Sequence, residues 1–137
     1  MSPEKSQQLI DIYPELFSNP NPRMPFALFG FECEDGWFDI LKDLITEIKE
    51  KTKNELFKFG LDDEIYPLRV DQIKEKYGTL RFYTNFCNER IDRLIRDAEE
   101  KSATTCEACG NPGSMRKEAR WLSVRCDACW PKPSKWS

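Results

Sequence analysis

The fold class this sequence predicts is α+β: a small antiparallel sheet packed by two or three helices, with a ribbon at the C-terminus. Two runs, near 37–53 and 88–101, carry apolar residues at helical spacing. Between them, YPLRVDQIKEKYGTLRFYTNF alternates apolar and polar residues on both sides of a turn at Lys76-Tyr77-Gly78, the pattern of two paired strands. Finally, four of the six cysteines fall in one C-terminal stretch, TCEACGNPGSMRKEARWLSVRCDACW.

Taken in chain order, KSQQLIDIYPELF spaces Leu9, Ile12, Tyr13, Leu16 and Phe17 as a helix does, and Pro14 keeps that helix short. SNPNPRMP, with three prolines in eight residues, predicts an extended connector, because each proline biases the preceding residue away from helix. FALFGFEC predicts a short strand or a buried loop. EDGWFDILKDLITEIKEKTKN carries the strongest helical pattern: Trp37, Phe38, Leu41, Leu44, Ile45 and Ile48 form one apolar face. Asp35 is the expected N-cap, and Glu47/Lys51 a favourable pair four residues apart. FKFGLDDEIY predicts a turn region. In the hairpin, Leu68, Val70, Leu80 and Phe82 are the inward positions. NERIDRLIRDAEEKS predicts a helix with Ile91, Leu94, Ile95 and Ala98 inward and Glu89/Arg93, Asp92/Arg96 and Arg96/Glu100 along its wet side.

Length sets the organisation. At 137 residues the chain is one domain or one small domain with an appendage. The expected division is a helix and Pro-rich connector over 1–25, an α+β core over 26–102, a cysteine ribbon over 103–131 and a flexible tail over 132–137. Charged residues make up 33%, but nine Phe, four Trp and four Tyr supply enough buried area for a core. The start MSPEKSQQLI lacks the apolar run of a signal peptide, and no segment is long enough to span a bilayer. The expectation is a cytoplasmic protein without a membrane partner, in a compartment where paired cysteines hold metal or do redox work more often than they form disulfides. The net charge of −3 conceals an asymmetry: residues 1–64 carry seven basic and fourteen acidic side chains, and the remainder carries fourteen and ten. Such a chain is not a bulk electrostatic binder of nucleic acid, although its C-terminal part has the sign for local binding.

The cysteines pair as Cys106/Cys109 and Cys126/Cys129, sixteen residues apart, the spacing of a structural zinc site. A two-residue gap lets both sulfurs of a turn reach one ion, and Gly110 lets the backbone curl beneath them. GSMRKEARWLSVR is long enough for a two-stranded ribbon that returns the second pair to the first. Four thiolates give a closed tetrahedral shell of the structural kind, so the expected cofactor is Zn²⁺, and the 103–131 segment is read as a zinc ribbon. Disulfides, a redox pair and an iron–sulfur cluster are the alternatives. Two pairs, neither opening a βαβ unit, disfavour redox chemistry.

The sequence contains no histidine, which excludes Ser-His-Asp and Cys-His nucleophile systems, the H-E-x-x-H helix and His-containing deaminase zinc sites. Its six glycines are scattered, so there is no glycine-rich phosphate loop. The lone thiols Cys33 and Cys87 read as inert. Glu32, Glu34, Asp35 and Asp39 read as acids complementing a helix N-terminus. Two basic-aromatic groupings stand out as contact candidates: Arg116, Lys117, Arg120 and Arg125 around Trp121, and Lys74, Lys76 and Arg81 beside Tyr77 and Tyr83 on the hairpin.

In order along the chain, DGWFDIL, IKEKYGTLRFY, AEEKSATTCEACGNPG and WLSVRCDAC resemble a family of small bacterial proteins of phage and prophage setting with a C-terminal four-cysteine zinc ribbon. The resemblance spans roughly residues 30–130 and implies that setting and a single zinc site, with no catalytic residues. A more distant similarity joins the chain to the DksA/TraR transcription regulators, which also follow a helix with a four-cysteine finger. The expected function is a non-enzymatic accessory binding protein that docks on a host or phage protein, such as a defence or transcription component. Two alternatives accompany it: a nucleic-acid-binding regulator using the ribbon, and a pocket for a small nucleotide signal.

Overall fold

A computed structural model describes residues 1–52, 68–117 and 121–130. The expected turn at FKFGLDDEIY, the tail 132–137 and Arg120 lie outside these residues.

Proline punctuates the N-terminal region. α1 (Pro3–Ile12) begins with Pro3 in its first turn and the Ser2 hydroxyl accepting the Lys5 N–H at 3.3 Å. Pro14 cannot continue that helix and instead opens a second, α2 (Pro14–Phe17), burying Leu9 and Leu16 completely between them. The connector after α2 is not extended as its prolines predict. Asn19 and Asn21 each accept a backbone N–H from two residues on, at 2.9 and 3.0 Å, and these successive Asx turns fold it back. FALFGFEC also resolves differently, into a short helix α3 (Pro25–Phe29) and a two-residue strand β1 (Phe31–Glu32). Phe17, Phe26 and Phe31 pack there as a triad with ring centroids 5.1–5.7 Å apart.

The hairpin forms as expected, with β2 (Val70–Lys76) antiparallel to β3 (Thr79–Thr84). Lys76 pairs with Thr79 across a two-residue turn in which Tyr77 and Gly78 both have positive φ, 54° and 90°. This is the twist-matched hairpin turn. A bulge between Val70 and Gln72 shifts the pleat, so the buried residues on β2 are Val70 and Ile73 rather than strict alternates. The sheet is α+β in character but mixed in direction: β1 joins the β2 edge in parallel, pairing Phe31 with Ile73.

α4 (Phe38–Thr52) buries Ile40, Leu41, Leu44, Ile45 and Ile48. Asp35 does not cap it. Residues Asp35–Trp37 form a 3-10 turn leading into the helix, and the Asp35 carboxylate accepts the Ser2 N–H at 2.8 Å. α5 (Glu89–Ser102) is capped by Asn88, which accepts the Ile91 N–H at 2.8 Å, and turns Ile91, Ile95 and Ala98 onto the sheet and α4. Leu94 is half-buried at the margin. Of the expected charge pairs on this helix, Asp92–Arg96 closes at 2.7 Å. Buried Ser102 ties the end of α5 to the sheet by accepting the Leu80 N–H at 2.9 Å.

Candidate metal centre

The chain reaches Cys106 within a turn of the end of α5. β4 (Ser114–Arg116) and β5 (Ser123–Arg125) then pair antiparallel, Ser114 with Arg125 and Arg116 with Ser123, and return the second cysteine pair to the first. The two knuckles share one backbone design. In the first, the Gly110 N–H donates to Cys106 O at 2.8 Å; in the second, the Trp130 N–H donates to Cys126 O at 3.0 Å. Each tight turn aims both of its sulfurs at a common point.

The four Sγ atoms all lie within 4.8 Å of one another, and Cys109 and Cys126 approach to 3.5 Å. A tetrahedral ion with sulfur at about 2.3 Å places its ligand atoms ~3.8 Å apart, whereas a disulfide requires about 2.05 Å. The cluster therefore fits one metal ion in a four-sulfur shell. Cys106 and Cys126 are buried, Cys109 is exposed and Cys129 intermediate. Burial pushes the Cys106 thiol up, but backbone N–H groups of Cys126, Cys109 and Ala108 outweigh it and bring the group down to about 7. Cys126 is likewise lowered, first by its backbone hydrogen bond with Cys129. Cys129 shifts the other way, up to about 12, first through its hydrogen bond with the Cys126 sulfur.

Hydrogen bonds and an ion pair join the cysteine cluster to the core. Gly36 donates its N–H to Glu107 O at 2.7 Å, Glu34 donates its N–H to Glu107 Oε2 at 3.0 Å, and Trp37 Nε1 donates to Thr105 O at 3.0 Å. Arg125 holds the Glu34 carboxylate through both guanidinium nitrogens, at 2.6 and 3.2 Å. Glu107, 6% exposed, has its carboxyl pushed up to about 7, chiefly by burial. Neither Gly36 nor Glu107 stood out in the sequence. Glu34 and Asp35 read there as helix-terminus acids; in the fold one grips the ribbon and the other the N-terminal segment. The available signal was the DGW triplet, a glycine wedged between an acid and a large aromatic, ahead of a helix.

The contact candidates separate. Arg125 faces inward on Glu34. Arg116 donates to Arg125 O at 3.1 Å, pairs with Asp127 at 2.8 Å and lies over the Trp130 ring. Arg81 stands 4.0 Å from Glu99. On the surface remain Lys76, Tyr77, Tyr83, Lys117 and Trp121. No helix among the described residues is long and apolar enough to cross a membrane. Comparison with protein-family models, with curated proteins and with solved structures gave no match.

Proposed function

We propose that this chain is a small non-enzymatic accessory binding protein of phage or prophage type, with a structural Zn²⁺ held by Cys106, Cys109, Cys126 and Cys129, that docks on a host protein such as a defence or transcription component. The observation that carries the reading is the closed four-sulfur cluster tied into the core through Gly36, Glu34 and Trp37. Four thiolates leave no open coordination position, so the ion supplies rigidity rather than a reacting site. A stapled module of this kind presents fixed side chains to a partner at little ordering cost. The phage setting rests on the sequence resemblance.

Protein is favoured over nucleic acid as the partner because Arg116 and Arg125 already serve acids of this chain. The groove described between α4 and α5, about 370 Å³, carries Asp43, Glu47 and Asp97 against Lys101. That charge repels a phosphate-bearing nucleotide. The test is affinity capture from infected and uninfected bacterial lysate with metal-loaded and metal-stripped bait. One protein complex retained only by the metal-loaded form is expected; recovery of nucleic acid alone would overturn the reading.

A further inference from the structure

Resting on the reading of the chain as a protein-binding module, we infer that its docking surface is the composite face where the β2–β3 turn meets the ribbon at Leu122, centred on Tyr77, Trp121 and Leu122, and that it takes a peptide segment whose apolar side chains are flanked by acidic ones. These residues are distant in sequence, and the fold brings them together. A Cβ on Gly78 would lie 2.6 Å from Met115 Sδ and 3.3 Å from the Leu122 carbonyl carbon, so the hairpin turn sits directly on the ribbon. The ribbon strands end at the Arg116–Ser123 pair, and Lys117 and Leu122 lie one residue beyond it, with Trp121 next.

Tyr77 is the informative residue. Among the described residues it alone, apart from glycines, has positive φ. The two-residue turn favours Asn or Gly there, and a tyrosine costs about 1 kcal/mol by steric crowding of its Cβ. Packing does not recover that cost, because Tyr77 is 68% exposed. Strain kept without structural return is characteristic of a functional position. Leu122, whose backbone Gly78 approaches, and Trp121 next to it are 39% and 57% exposed, an aliphatic and aromatic grouping of the kind that anchors interface centres.

Charge selects the partner. Lys76 stands over the Tyr77 ring at 5.6 Å, and Lys117 is exposed just past the end of β4. Among the described residues, two lysines surround the apolar centre while the Glu75 carboxylate is taken up by the Gly78 N–H at 3.2 Å, which complements a few carboxylates, whereas a nucleic-acid backbone presents a continuous charge that Arg116 and Arg125, already paired, do not meet.

The experiment selects yeast-displayed random twelve-residue peptides on the full metal-loaded chain, then measures the enriched peptides against Tyr77→Asn, Trp121→Ser and the remote control Phe29→Ser, with a fluorescein-labelled twenty-nucleotide oligo(dT) in parallel. Enriched peptides should combine aromatic or aliphatic residues with Asp and Glu. Tyr77→Asn and Trp121→Ser should each weaken them by about tenfold or more, and Phe29→Ser should leave them unchanged. Tyr77→Asn should also unfold at the same temperature as the parent or higher, which separates lost contact from lost fold. Peptides that bind both variants as tightly as the parent would overturn this surface and leave the binding role standing. Enriched peptides rich in Lys and Arg would overturn its charge assignment. Oligo(dT) binding abolished by Trp121→Ser, with no peptide enriched, would overturn both the partner class and the reading beneath it.

Discussion

Gly36 and Glu107 meet backbone to backbone: the Gly36 N–H donates to Glu107 O at 2.7 Å, and a Cβ on Gly36 would lie 2.3 Å from that oxygen and 2.2 Å from Cys106 O. The middle residue of the turn that leads into α4 therefore touches the first cysteine knuckle with no room for a side chain. Core and ribbon share this contact, so whatever orders one orders the other.

Gly36→Ala forces the backbone of the 3-10 turn or of the knuckle to move, since neither neighbour is a side chain that can swing away. Destabilisation of about 2–4 kcal/mol is expected in urea unfolding of the metal-loaded protein. A change below about 0.5 kcal/mol would show that the two segments are not in contact.

Chelation should be felt beyond the ribbon. Trp37 is fully buried and donates to Thr105 O. Stripping the ion with a strong chelator is expected to lower the melting temperature and shift tryptophan emission to the red, and Trp37→Phe should remove most of the shift. Cys106→Ser should reproduce the loss, whereas Cys87→Ser, at an exposed cysteine outside the cluster, should not.

The Arg125–Glu34 pair links β5 to the segment before α4, with side chains 12% and 29% exposed. Arg125→Ala leaves a half-buried carboxylate without its partner, and a loss of about 1–2 kcal/mol is expected after allowing for its residual solvent contact. A double-mutant cycle with Glu34→Ala should return a coupling of about 1 kcal/mol; additive losses would show that the pair contributes nothing.

The thiols should react in a defined order. Burial pushes Cys33 up to about 12, with the Glu107 carboxylate adding to the shift. At pH 9 Cys33 therefore stays a thiol, the unreactive form. Cys87 is exposed, and partial desolvation raises its thiol too, though less. Iodoacetamide labelling of the native metal-loaded protein, read by peptide mass spectrometry, should mark Cys87 and spare Cys33. Equal labelling would contradict the burial of β1 and its continuation.

Much of this was legible in the sequence. The helical period of 37–53 and 88–101, the alternation around Tyr77-Gly78 and the cysteine spacing each report local geometry, and each element formed where its period lies. What was not legible depended on contacts between distant segments. β1 is two residues long, too short for periodicity, and exists because β2 offers it an edge. Asp35 has the residue type of an N-cap, but an N–H from Ser2 competes for its carboxylate. Arg125 reads as one charge in a basic run until Glu34 is placed beside it. The cysteine cluster was the easiest part of the site to find, because ligand spacing is written in consecutive residues. Its attachment to the core was the hardest, because its side-chain contacts join residues 68 to 91 positions apart, a separation that no local period spans.

The most direct test is native mass spectrometry of freshly purified protein, combined with sulfur-edge and metal-edge X-ray absorption. One zinc ion per chain is expected, bound to four sulfurs at about 2.3 Å, with six thiols titrating after denaturation in chelator. A metal-free mass two or four hydrogens lighter than the reduced chain would mean that the knuckle sulfurs are joined to each other, and would contradict the account at its base.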